Sequence, residues 1–429
     1  MAKDSLTLKD RDAAVLWHPF TQAYLYPEAI PVVKASGAYL YTESGDRIID
    51  AISSWWVTLH GHADARIASA IAAQAHELEQ VIFAGFTHKP AIELAENLVS
   101  VLPQGLERIF YSDDGSTAVE AALKLAIQYW EQCGEKRSTI IVFEGGYHGD
   151  TFGAMSVGGR SFTAPFERFL FDVERLPYPT IENSSQTLSA LEEILSRTSP
   201  VAILYEPLIQ GAGGMRFCHS ESLDAVLARC REKRVLCIAD EVMTGFFRTG
   251  TFFASEQIRT KPDMLCISKG ITGGFLPLGV TAVTGEIYRA FLSERRERAF
   301  LHGHSYTANP LACAAANASF AILKESEHAE IRKMHQVECE AIAKNLSKIG
   351  AQNVRSLGGI VAWEYATTGD YFTSTVRDIV YSYACKKGVL CRPLGDTGYI
   401  MPPFCLSETY WRDVEAVLCE TVELLKRHE

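Results

Sequence analysis

The feature that most constrains this chain is an alternation. Between about residues 112 and 320, short β-branched runs alternate with segments whose apolar residues recur at helical spacing. That is the pattern of βαβ units around a mostly parallel sheet buried on both faces. The candidate strands lie at 138–143, 201–206, 235–239, 264–268 and 280–284. Between them, 117–131 carries Val119, Leu123, Ala126, Ile127 and Trp130 at helical spacing, and 222–233 carries Leu223, Val226, Leu227 and Cys230. The expected fold class is therefore α/β, with a large domain built on that sheet.

After residue 325 the pattern changes to a long polar–apolar helix, then strand candidates at 359–364, 389–392 and 399–401, and a last helix carrying Trp411, Val414, Leu418 and Leu425. This reads as a smaller α+β domain. The first 50 residues hold short strands between the turn signals Ala35-Ser36-Gly37 and Ser44-Gly45-Asp46, too little to fold alone. The 429 residues thus divide into 1–55, an N-terminal segment expected to pack with the small domain, 56–325, the large domain, and 326–429, the small domain.

Composition narrows the function classes. With 47% hydrophobic and 22% charged residues the chain has enough apolar surface for a core. Its 41 Lys and Arg against 52 Asp and Glu, a formal charge of −11, disfavour a general nucleic-acid or anionic-membrane surface. No apolar run approaches the roughly 18 residues of a transmembrane helix, and the start MAKDSLTLKDRD carries charges where a signal peptide is apolar, so a cytoplasmic location is expected. The eleven cysteines are odd in number and scattered, and read as reduced, mostly buried thiols. His60-Gly61-His62 and His302-Gly303-His304 lack neighbouring ligands at metal-site spacing, and no metal is expected.

The chemistry concentrates where apolar strands end. The run Val235-Leu236-Cys237-Ile238-Ala239 stops at Asp240-Glu241, and Met264-Leu265-Cys266-Ile267 stops at Ser268-Lys269-Gly270. In open parallel sheets ligands bind beyond the carboxyl ends of the strands. A lysine and an aspartate delivered there together are what pyridoxal phosphate requires: Lys269 for the Schiff base, Asp240 to keep the pyridine nitrogen protonated. Asp113-Asp114-Gly115-Ser116-Thr117 precedes a helix expected near Ala118, whose N–H groups and Ser116 hydroxyl would seat a phosphate. The same residues also read as an ordinary Ser or Thr cap with Glu120 at capping-box distance. Tyr147 follows another strand, either to stack on a cofactor ring or as a half-buried loop aromatic.

These motifs occur in the order DGS, GYHGD, EP followed by GAGG, ADEV with TGFFRTG, SKG with TGG, and HSYTANPLA. Together they resemble the fold-type I, class III pyridoxal-phosphate aminotransferases over essentially the whole chain. The resemblance implies a homodimer with shared active sites, in which Gly115, Ser116 and Ser305 from the partner subunit bind the phosphate and Tyr147 stacks on the ring. It further implies catalytic roles for Lys269, Asp240 and Tyr147. Within the class, Leu16-Trp17-His18-Pro19-Phe20-Thr21, Ser53-Ser54-Trp55-Trp56, Cys391-Arg392-Pro393 and Met401-Pro402-Pro403 resemble a biotin-pathway branch. That branch implies 8-amino-7-oxononanoate as acceptor and S-adenosylmethionine as donor. It implies a substrate site of Phe20, Trp55, Trp56, Asp150, Arg248, Gly303 and Arg392. A long-chain keto acid needs a guanidinium at one end and an apolar wall along its methylenes. Trp55 and Trp56, as neighbours on a strand, would point to opposite faces, so at most one of them is expected to line the channel. The competing readings are core packing for the tryptophans and a structural ion pair for Arg392.

Two departures bear on substrate choice. Met243 stands where many class III members have glutamine, which disfavours the ornithine and 4-aminobutyrate branches. Phe20 stands where tyrosine is frequent, and the missing hydroxyl bears on the amino donor, since similar enzymes use lysine. The alternatives are another class III aminotransferase acting on an ω-amino acid, or a catalytically silent scaffold of the same fold. No Gly-x-Gly-x-x-Gly follows an N-terminal strand, which removes a dinucleotide-binding oxidoreductase.

Overall fold

The computed structural model describes residues 6–26, 28–159, 163–366 and 374–426. Its central sheet has seven strands in the order Leu106–Ser112, Gly279–Thr284, Met264–Ile267, Leu236–Asp240, Pro200–Tyr205, Thr139–Phe143 and Glu174–Leu176. Gly279–Thr284 runs antiparallel to both neighbours, and the remaining pairs are parallel. The α/β class expected from the alternation is the one observed, and the five expected strands begin and end within a residue of their places.

The sheet is apolar through and through because it is covered on both sides. Ile203, Cys237, Leu265 and Ile267 face a core with Leu208, Phe253, Ala312 and Phe320. Their neighbours Leu204, Ile238 and Cys266 face a second core with Val119, Leu123 and Trp130. Adjacent strand residues point to opposite faces, and each fully buried aliphatic side chain contributes roughly 1.5–3 kcal/mol. A polar side chain at a strand end has only one way out, into the cleft.

The helix Gly115–Gln132 starts three residues before the expected Ala118. Asp114, not a serine or threonine, is its cap: its side chain accepts from Thr117 N at 2.8 Å, and Thr117 Oγ1 accepts from Asp114 N at 2.9 Å. Glu120 does not close a capping box. It accepts instead from Thr151 Oγ1, Gly153 N and Ala154 N.

The rest of the chain forms two smaller sheets. One has the order Val32–Ser36, Tyr39–Thr42, Arg47–Asp50 and Val389–Leu390, and the other Gln352–Leu357, Ile360–Glu364 and Thr397–Ile400. Ala38, Ile49 and Ala51 share one apolar core with Cys339, Leu346, Val361, Trp411 and Leu418 from the C-terminal elements. No helix among the described residues is long and apolar enough to cross a membrane.

One local expectation fails here. Ser53–Trp56 is a short helical turn, not a strand, and it is kinked at Ser54 and Trp55. Three of its four residues have positive φ: Ser53 at 52°, Ser54 at 60° and Trp56 at 69°. Such conformations cost non-glycine residues on the order of 1–3 kcal/mol each and persist only where surrounding contacts over-determine them.

Candidate active site

Asp240 is the last residue of its strand, level with Cys266 on the neighbouring strand, and Lys269 follows two residues after that strand ends. Asp240 is buried, and its carboxylate is held from two sides. Oδ1 accepts from Val242 N at 3.0 Å, and Oδ2 faces His148 Nδ1 at 2.7 Å. Lys269 has φ 44°, and its Nζ lies 4.5 Å from the centroid of the Trp56 ring. Burial pushes the Lys269 amine down to about 8, against the opposing pull of Asp240 and Glu206.

These residues line one cavity of about 410 Å³ together with Gly115, Ser116, Tyr147 and Met243. A Cβ on Gly115 would sit 2.8 Å from Val242 Cγ1, so only glycine lets the helix start this close to the strand end. Gly274, at φ +90°, does the same on the far wall, where a Cβ would meet the Thr58 backbone at 2.9 Å. The first N–H groups of the Gly115–Gln132 helix lack intrahelical acceptors and open onto the cavity.

Two residues belong to this end that motif reading passed over. Glu206, buried, accepts from Tyr147 N at 3.0 Å and Gly211 N at 2.8 Å, so it holds the loop on which Tyr147 sits. Burial pushes its carboxyl up to about 7, partly countered by His148. His148 is the other, as the partner of Asp240. Each had a signal: Glu206 closes an apolar run as Asp240 does, and His148 stands in the loop directly after a strand.

The substrate-side candidates divide. Trp56 is buried on the cavity wall. Trp55 is 40% exposed and forms a second aromatic group, with Phe20 edge-on at 5.6 Å and the Arg392 guanidinium 5.0 Å over its ring. Asp150 accepts from the Tyr147 hydroxyl at 3.0 Å, and burial with that carboxylate raises the phenol. Arg248 does not reach the cavity. It is 1% exposed and donates to the carbonyls of Pro402 at 2.9 Å, Thr58 at 3.2 Å and Trp56 at 3.4 Å, so it clamps backbone behind the wall. Gly303 and Ser305 are exposed and do not line the cavity of their own chain, where Ser305 O accepts from Gln80 Nε2 at 2.8 Å.

Comparison with known proteins decides the family. The sequence pattern described as Aminotransferase class-III matches residues 22–419. The chain belongs to the class III aminotransferases. It is 46% identical over 417 residues to the adenosylmethionine-8-amino-7-oxononanoate aminotransferase of Synechococcus elongatus, covering 95% of this chain and 98% of that one. The solved structure of the enzyme of that name from Methanocaldococcus jannaschii has a TM-score of 0.92 at 34% identity, over 97% of this chain and 98% of the other. An amine transaminase from an uncultivated Pseudomonas species, solved in its pyridoxal-phosphate-bound form, has a TM-score of 0.86 at 29% identity, over 96% and 98%.

This class III aminotransferase is pyridoxal-phosphate dependent, and its residues fit that cofactor. The open helix start at Gly115 and Ser116 suits the phosphate, the buried Asp240 a ring nitrogen, and the Lys269 amine the aldehyde carbon. A cavity of about 410 Å³ accommodates a small aromatic cofactor and leaves room for one reacting group.

Proposed function

We propose that this enzyme transfers an amino group from S-adenosylmethionine to 8-amino-7-oxononanoate, giving 7,8-diaminononanoate in the route to biotin. The relatives' shared name suggests the substrates. Within this chain, the observation that carries the reading is the Arg392 guanidinium stacked over Trp55 beyond the Lys269 cavity. A guanidinium backed by an aromatic face suits the distant carboxylate of a long acceptor, while the apolar rings suit its methylenes.

Pyridoxal phosphate, when bound, supplies an electron sink that labilises the α-proton of an amine joined to it. The chain's own groups do the rest. Gly115 and Ser116 would hold the phosphate, joined by the partner subunit's Ser305. Tyr147 would cover the ring, and Asp240, oriented by His148, would face its nitrogen. Lys269 Nζ, with its affinity for protons lowered to near neutrality, takes up and returns the proton during transfer. Met243 and Trp56 line the cavity with apolar surface. Phe20 and Asp150 stand at the substrate side, and Arg248 supports the wall from behind.

A cytoplasmic homodimer completes the reading. Trp17, Tyr24, Leu301 and Tyr306 are large apolar residues left exposed, the last two flanking Gly303 and Ser305. Six of the eleven cysteines are buried thiols, as suits a reducing compartment.

Single-turnover mixing of the loaded enzyme with S-adenosylmethionine, or with lysine, tests the donor. Loss of the aldehyde-form absorbance is expected with S-adenosylmethionine, and recovery on adding 8-amino-7-oxononanoate. A response to lysine alone would reassign the donor, and no recovery with the keto acid would reject the acceptor.

A further inference from the structure

The turn that carries both tryptophans is strained, and a buried carboxylate anchors it. Asp50 ends the strand Arg47–Asp50 and is fully buried. Its side chain accepts four hydrogen bonds: Ile52 N to Oδ1 at 3.1 Å, and Ser54 N, Ser54 Oγ and His62 Nε2 to Oδ2 at 2.6, 3.0 and 2.9 Å. Ser53 Oγ donates to Met401 O at 2.7 Å, and Met401 N donates to Ala51 O at 2.9 Å, which ties the turn to the C-terminal sheet. Between the left-handed Ser54 and Trp56, Trp55 has φ −138° and ψ 56°. This sequence of conformations sends consecutive rings to different ends of the substrate path, Trp56 to Lys269 and Trp55 to Arg392.

We propose that Asp50 and His62 are positioning residues that set the acceptor pocket by locking the 53–56 turn in this conformation. The inference rests on the acceptor reading above for its substrate. Neither residue touches the cavity; they act through the two tryptophans. A regular extended or helical path through Ser53 and Ser54 would relieve the backbone but break the Asp50 contacts and swing one ring away. His62 supplies a donor to Asp50 Oδ2 that an uncharged amide can also supply, so His62→Gln separates orientation from charge.

The test is steady-state and single-turnover kinetics on pyridoxal-phosphate-loaded Asp50→Asn, Asp50→Asn with Ser54→Gly, His62→Gln and His62→Ala. An asparagine offers one acceptor oxygen where the turn uses two, so the acceptor KM is expected to rise by about tenfold or more. The Asp50 bonds fall on Ser54, next to Trp55, whereas Trp56 keeps its own bond to the Tyr399 hydroxyl, so the donor half-reaction and the cofactor absorbance should stay within about twofold of wild type. Glycine adopts positive φ without strain, so Ser54→Gly should recover most of the Asp50→Asn loss. His62→Gln should behave like wild type and His62→Ala like a milder Asp50→Asn. Equal losses in both half-reactions, or no recovery with Ser54→Gly, would overturn the inference in favour of a purely structural carboxylate. If Asp50→Asn does not fold, the His62 pair decides by the same KM criterion. Wild type is assayed first: if it ignores 8-amino-7-oxononanoate but turns over another long-chain keto acid, the substrate reading fails, and the variants are judged on that acceptor.

Discussion

At the Lys269 end of the cleft every proposed functional side chain except Trp56 leaves a strand of the central sheet, or the segment directly after one. At the Arg392 end none does. There the groups are Trp55 on a kinked turn, Phe20 in the N-terminal segment, and Arg392 just past a two-residue strand. The bonds that support the tryptophan turn join distant parts of the chain: Trp56 Nε1 donates to the Tyr399 hydroxyl at 3.1 Å across 343 residues, and Arg248 to Pro402 O across 154. One end is built by strand register and the other by long-range closure. A sheet fixes a chemistry that many enzymes of a class share, while the closure can change with substrate at little cost to the sheet.

If this division is right, substitutions at the first end should remove catalysis itself. Lys269→Ala carries the largest expected effect. Removing a proton-transfer group typically costs 10²–10⁴-fold, and we expect a loss of about 10³-fold or more in both half-reactions, measured by stopped-flow absorbance. An unequal loss would blur the comparison, because it would give Lys269 a part in choosing between substrates.

Asp240→Asn comes next. It leaves cofactor binding largely intact, but the neutral amide no longer supports the ring nitrogen, and His148 loses a buried carboxylate partner. Removing one preorganised electrostatic group typically costs about 10²–10³-fold, and a fall in kcat of that size is expected in both half-reactions. His148→Gln should lose less, since it keeps a donor. Turnover near wild type in Asp240→Asn would mean that the strand ends do not carry the chemistry.

The same contrast explains what was legible in the sequence. Asp240 and Lys269 announce themselves because a charge that interrupts a buried apolar strand must have a reason to be there, and strand periodicity is local. Glu206 carried that signal too. The turn at Ser53–Trp56 was not legible: its conformation is imposed by Asp50, Met401 and Tyr399, and local propensity favours extended backbone for Trp-Trp. Arg248 is a related case. The family resemblance implied a substrate-side role, whereas three backbone carbonyls take its donors. Burial pushes this guanidinium down to about 9, with Asp50 opposing, as befits a clamp with no carboxylate bonded to it.

At the second end the effects should separate the substrates. Arg392→Ala is expected to raise the acceptor KM by about 10–100-fold through loss of a charge-assisted partner, with the donor half-reaction much less affected. Parallel single-turnover titrations with the two substrates check this. Equal losses would make Arg392 a shared anchor and bring the two ends closer in kind.

Behind both ends lies a group of buried histidines that sharpens the comparison through pH. His60 Nδ1 faces His328 Nε2 at 3.1 Å, His60 Nε2 faces Ser319 Oγ at 2.8 Å, and His335 packs against Trp411 with ring centroids 4.8 Å apart. Burial pushes His60 and His335 down to about 3 and His328 to about 4. Below the unfolded value near 6.5 the unfolded chain binds more protons than the folded one. Their neutral burial therefore leaves stability intact above about pH 6.5 and removes it as pH falls from there toward 4. The slope is at most about 1.4 kcal/mol per pH unit for each histidine, a factor of ten in the folding constant. Urea midpoints between pH 7 and 5 should fall steeply in wild type and less steeply in His335→Leu. An unchanged slope in that variant would place the acid sensitivity elsewhere.

The smallest effect is the most discriminating. Tyr399→Phe removes only the hydroxyl that accepts from Trp56 Nε1, inside a buried contact whose rings already meet edge-on at 6.0 Å. The packing stays, so the ring of Trp56 remains near Lys269 but with one orienting bond fewer, a net change of about 0.5–1.5 kcal/mol. Indole N–H left without an acceptor is free to tilt the ring along the wall. Long-range closure of the wall predicts that this appears as a rise of about two- to tenfold in acceptor KM, with kcat for the donor half-reaction unchanged. If kcat fell instead and KM held, the hydroxyl would be acting on the Lys269 amine through the Trp56 ring, and the wall would belong to the catalytic end of the cleft.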